Sequence, residues 1–139
     1  MPILRFPAWF GVLLGAHFLA VLAHFSHNAE YLPFYPGMPG WLTREQVYLA
    51  WLAVTAVGTL ALFLSWRKWL ASALLGFAVY GALGLDGLFH YTLGLCADHT
   101  WVANLTIWAE ALTGAGVLLA TGFMSPRYLA GRLKAGRAS

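Results

Sequence analysis

The sequence predicts an all-α integral membrane protein, an antiparallel four-helix bundle with its N and C termini in the cytoplasm. Three observations carry that expectation. Of 139 residues, 60% are hydrophobic and 9% charged, where a soluble domain carries about a quarter charged residues. Four apolar stretches, at about 7–25, 46–66, 69–93 and 101–124, each approach the roughly 20 residues that cross about 30 Å of hydrocarbon as a helix. The charges are also sorted. Arg5, Arg67, Lys68, Arg127, Arg132, Lys134 and Arg137 flank one end of the stretches, and Arg44 alone lies at the other. The positive-inside rule then places the basic end in the cytoplasm. Loops 26–43 and 94–100 fall in the periplasm of a bacterial inner membrane. The spans use up most of the chain, so residues 1–139 form a single domain. The one cysteine excludes an internal disulfide and a Cys-rich zinc or iron–sulfur site.

The first stretch carries His17 and His24, seven residues apart and so nearly on one helical face. His27 and Glu30 extend the stripe as H-x2-H-x2-E. Arg5, the apolar run and Val21-Leu22-Ala23 also fit a cleaved leader, although the reading adopted is a retained helix. Residues 31–41 are rich in Pro, Gly and aromatics, which opposes regular helix and suits the headgroup layer. The loop reads as an interfacial seat for the bundle, with a lid over an outer pocket as the alternative. Thr43-Arg-Glu-Gln46 is a capping box opening the second helix, which then holds no acidic or basic side chain until Arg67.

The third stretch holds Gly76, Gly81, Gly84 and Gly87, and the fourth Gly114 and Gly116. Small residues let membrane helices approach closely. Asp86 and His90, four apart, are expected on one helical face. Asp98 is the expected N-cap of the fourth helix, and Ser125-Pro126 its stop, leaving a basic tail over 126–139.

Ionisable side chains at membrane depth are costly, so each is a candidate for function. His24, His27, Glu30, Asp86, His90 and His99 are the expected metal ligands, near the end opposite the basic residues. Imidazole with carboxylate suits copper or zinc before iron. Asp86-x3-His90, with His99 nine residues later, resembles in ligand type the Asp-x3-His element of copper membrane monooxygenases. Haem b is a further candidate cofactor, with His24 and His90 as opposed axial ligands and the small residues of the third helix making room for the ring. Glu110 lies eleven residues into the fourth helix, about 16 Å from its end at 1.5 Å per residue. His17 is at comparable depth, so a His17–Glu110 pair is expected.

The favoured function is therefore an outward-facing transition-metal site, acting on a lipophilic substrate. The alternative is metal-free acid–base chemistry on an apolar small molecule. Glu110, His17 and Asp86 would be its catalytic groups, and Trp101, Trp108, Tyr80 and Phe89 its lining. The third reading is a haem- or metal-holding subunit of a larger membrane redox complex. Membrane lipids are expected partners, as is a second copy of the chain through the glycine-rich faces. No nucleic-acid partner is expected.

Overall fold

The structure is a computed structural model that describes residues 6–136, and the backbone alone at 129 and 131–136. It is all-helical, with no strand among the described residues. The helices are α1 (Ala8–Glu30), α2 (Arg44–Trp66), α3 (Leu70–Leu83), α4 (His90–Leu93) and α5 (Trp101–Gly136). By length and composition four segments can cross a membrane, namely Ala8–Glu30, Arg44–Trp66, Leu70–Leu93 and Trp101–Tyr128. Arg5 and Arg137 lie outside the described residues.

α1 runs to Glu30 rather than to about residue 25, because its last turns still face protein and bury Asn28 and Ala29. The capping box on α2 forms as expected. The Thr43 backbone N–H donates to Gln46 Oε1 at 2.8 Å, and the Gln46 N–H to Thr43 Oγ1 at 3.3 Å. α2 and α3 are joined by a tight turn in which Lys68 takes a left-handed φ of 62°. The carbonyls of Leu64 and Ser65 there accept the N–H groups of Trp69 and Lys68.

Three expectations need correction. The third span is not one helix, because α3 stops at Leu83 and a 3-10 turn over Asp86–Phe89 precedes α4. An α-helix sets residues i and i+4 about 40° apart, a 3-10 helix about 120° apart, so Asp86 and His90 do not share a face. Asp98 does not cap α5. Its carboxylate closes a short turn by accepting the Leu95 N–H at 2.8 Å, and the Thr100 hydroxyl caps the helix through the Ala103 N–H at 3.1 Å. Pro126 does not end α5, which continues to Gly136. Pro126 has no N–H to give the Gly122 carbonyl four residues back, and the helix continues without that bond. Ser125 Oγ donates to the Thr121 carbonyl at 2.9 Å beside it. The segment read as a tail is thus helical as far as it is described.

Toward the basic end the helices close on Phe10, Phe77 and Val117, with Ala61 and Ala73 filling between them. The Phe10 and Phe77 rings meet edge to face at 5.3 Å. α3 and α5 touch backbone to backbone. A Cβ on Gly81 would lie 2.7 Å from the Gly114 carbonyl oxygen, and one on Gly114 would lie 3.0 Å from Gly84 Cα. This approach replaces a hydrophobic drive that lipid does not supply. Gly114→Ala is expected to force α3 and α5 apart and cost about 1–3 kcal/mol, as overpacking does. A lowered thermal midpoint in mild detergent checks it.

A buried polar cluster between α1, α5 and the broken third span

α1 directs His17, His24 and Asn28 inward, all buried. α5 meets them with Thr113, Glu110 and Thr106, spaced three and four apart and so on one face. The break in the third span delivers His90, and the loops at that end add Tyr35 and His99; all three are also buried.

Each ring nitrogen of His17 has an oxygen at hydrogen-bond distance, the Tyr80 carbonyl 3.3 Å from Nε2 and Thr113 Oγ1 3.0 Å from Nδ1. The Thr113 hydroxyl itself donates to the Ala109 carbonyl at 2.7 Å. The expected His17–Glu110 pair is therefore not formed. Glu110 instead faces His24, with Oε2 3.6 Å from Nε2. Glu110 has no exposed surface, and neither carboxyl oxygen has a hydrogen-bond partner. The Thr106 hydroxyl donates to the Ala103 carbonyl at 3.0 Å, so its oxygen is left to accept His24 Nδ1–H at 3.5 Å. That assignment turns the bare Nε2 of His24 toward Glu110. Gly87 packs over them, and a Cβ there would come within 3.0 Å of Glu110 Oε2 and 3.7 Å of His24 Nε2.

The cluster continues toward the end away from the basic residues. The His24 and His90 rings meet at 5.2 Å, and the His90 and His99 rings at 6.1 Å. Asn28 Nδ2–H donates to His90 Nε2 at 3.2 Å, which leaves the proton on Nδ1, a buried atom without a partner. His99 Nδ1–H donates to the Leu95 carbonyl at 3.0 Å, leaving a bare, buried Nε2. Tyr35 sits between the His90 and His99 rings, at 4.9 and 6.0 Å. Its hydroxyl donates to His27 Nδ1 at 2.8 Å. Burial pushes the Tyr35 phenol up to about 12, so it remains a donor through neutral pH.

Other expected site residues lie elsewhere. Glu30 is exposed and held by Arg44 at 2.7 Å and by the Tyr48 hydroxyl at 2.8 Å. Asp86 is exposed at the start of the 3-10 turn. Trp101, Trp108 and Phe89 are exposed rather than lining an inner pocket, whereas Tyr80 is buried. The glycine faces of the third span, expected to make room for a porphyrin, are filled by Gly114, His17 and Glu110. Among the described residues no group of three or more His, Cys, Asp or Glu stands in an arrangement that could hold a metal ion.

Two members of the cluster escaped the sequence reading. Asn28 was legible, being four residues after His24 on the same helical face. Thr106 and Thr113 were expected on the face of Glu110 and lie there, although neither hydrogen-bonds its carboxyl. Tyr35 carried no periodic signal, since it reaches the core from an irregular loop. Compared with family models, curated proteins and solved structures, the chain matches none of them.

Tyr35→Phe is expected to cost about 1 kcal/mol at neutral pH, the net value of one buried hydrogen bond. The wild type should also lose stability as pH rises from about 10, where an unfolded phenol ionises, toward about 12, where the buried one does. Unfolding curves across that range check both effects, and the alkaline loss should shrink in the Phe variant.

Proposed function

We propose that this chain is an acid–base protein of the bacterial inner membrane that moves protons on an apolar small molecule drawn from the bilayer. In this reading the bundle is antiparallel, with both termini cytoplasmic and the His99 end facing the periplasm. One observation carries it: a fully buried carboxyl whose two oxygens lack hydrogen bonds faces a buried imidazole at 3.6 Å. An unpartnered polar group at this depth costs several kcal/mol, and a functional site is where such a cost is retained.

Glu110 is the group that gives and takes the proton, and His24 is its exchange partner. In a double-bond shift, the carboxyl O–H bond breaks as a substrate C–H bond forms. The resulting carboxylate, or His24 in its place, removes a proton from a second substrate carbon, and the electron pair moves along the substrate. No oxidant or further reactant is needed. His90 and His99 follow His24 toward the far end, where Nδ1–H of one and the bare Nε2 of the other suit proton replenishment.

Glu110→Gln is expected to leave the helical signal intact and to remove a carboxylic C=O infrared band that titrates in the wild type. His24→Leu should shift the midpoint of that band. A titrating band unchanged in the Gln variant would remove Glu110 from the role.

A second reading, a transition metal with copper or zinc before iron, is favoured by the bare His99 Nε2 and the unpartnered Glu110 oxygens. His24 and His90 would complete such a set after rotation of their rings. The chain would then serve as a metal- or haem-holding subunit of a membrane redox complex, although a porphyrin would require the touching His24 and His90 rings to part. Elemental analysis separates the readings. Stoichiometric metal that is lost in His90→Ala would support the metal, and a visible absorption band would reveal haem.

Topology has its own test in Cys96, the single cysteine, which is exposed at the His99 end. A membrane-impermeant maleimide is expected to label it in intact spheroplasts. Labelling only after permeabilisation would invert the bundle.

A further inference from the structure

At the basic end, between the start of α1, the start of α3 and α5, lies a cleft of about 260 Å³. Its walls are apolar, from Phe6, Trp9, Leu74 and Phe123, and its polar side is formed by Arg127 and Tyr128. A second cleft of about 330 Å³ shares Leu74 and Tyr128 with the first and runs between α3 and α5 past Ala78, Leu118 and Gly122. Together they form one groove that starts at a cation and continues along apolar side chains. From Tyr128 to Leu118 it follows ten residues of α5, about 15 Å at 1.5 Å per residue, a length that suits a single acyl chain.

The charge at the mouth selects among lipids. Arg127 is exposed and stacks over the Phe123 ring at 4.0 Å. Among the described residues no carboxylate pairs with it. It lies next to Tyr128, the last residue of the fourth membrane-spanning segment, the depth at which lipid phosphates lie. Arg67 and Lys68 close the α2–α3 turn at the same end. Basic residues between membrane helices on this face are suited to acidic headgroups, and a guanidinium matches a phosphate in two-pronged fashion.

We propose that this groove is a binding site for one anionic glycerophospholipid, with its phosphate on Arg127 and one acyl chain between α3 and α5. The site is separate from the Glu110–His24 cluster and does not rest on any reading of it.

Purified protein in mild detergent is offered phosphatidylglycerol and phosphatidylcholine of identical chains, and retained lipid is counted by native mass spectrometry. Wild type is expected to prefer the anionic lipid by about tenfold, because the choline ammonium of the other lipid repels the guanidinium and competes with it for the phosphate. Arg127→Gln should abolish the preference, and Arg127→Lys should keep part of it. Gly122→Leu, which fills open space in the groove, should reduce retention of both lipids, showing that the chain and not the headgroup alone is held. Equal retention of the two lipids by wild type overturns the site, as does undiminished preference in the Gln variant. Unaltered retention in Gly122→Leu overturns the acyl groove.

Discussion

A carboxyl group with no contact to water sits in the half of this bundle away from its aromatic core, and much of the surrounding architecture can be understood as accommodating it. Glu110 faces the imidazole of His24, and the elements around the two are shaped to that contact. Thr106 fixes which nitrogen of His24 faces the acid. Gly87 lets the third span lie across both without pressing a side chain onto them. The third span in turn can offer a glycine there, and His90 one turn further on, because it abandons α-helical geometry between Leu83 and His90.

The two histidines of α1 show how one helical face can carry opposite roles. His17 and His24 lie two turns apart and both are buried, yet His17 meets only a carbonyl and a hydroxyl oxygen. It is a polar tie between α1, α3 and α5, beside Gly84 and Gly114. His24 has a threonine oxygen on one side and an unpartnered acid on the other. Burial alone would rank the two alike; what separates them is that only His24 faces an acid.

How much of this was legible follows from which forces leave periodic traces. The spans, the α2 capping box and the inward face of α1 were readable because hydropathy, cap chemistry and the 3.6-residue repeat are local. The depth of Glu110 was readable too, but its partner was not. His17 and His24 share a face, and only the register between α1 and α5, where Gly114 meets His17 and Gly116 meets Leu13, brings Glu110 opposite the second of them. Asp86 was misplaced because its spacing to His90 was read with helical geometry through a stretch that is 3-10. Pro126 was read as a stop because a proline costs a helix one hydrogen bond and a steric contact, a local penalty that α5 bears. Tyr35 was invisible for a different reason: a loop side chain enters a core through tertiary closure, and nothing in its neighbours marks the direction.

That loop has a consequence for timing. Its base is clamped by Glu30, Arg44 and Tyr48. Its middle turns through Gly37 at a φ of 70°, where a Cβ would lie 2.6 Å from the Leu93 carbonyl oxygen. Tyr35 is pressed by these restraints into the space between His90 and His99, with its hydroxyl on His27. Tyr35 therefore helps to cover His90, together with Met38, Leu88 and Tyr91 packed around it. Under the proposed acid–base function, protons reach His90 through His99, through the phenol, or when the loop lifts. Loop excursions of this kind fall on the nanosecond-to-microsecond scale, so under that function the frequency with which the thirteen residues between α1 and α2 breathe sets a ceiling on traffic by the last route.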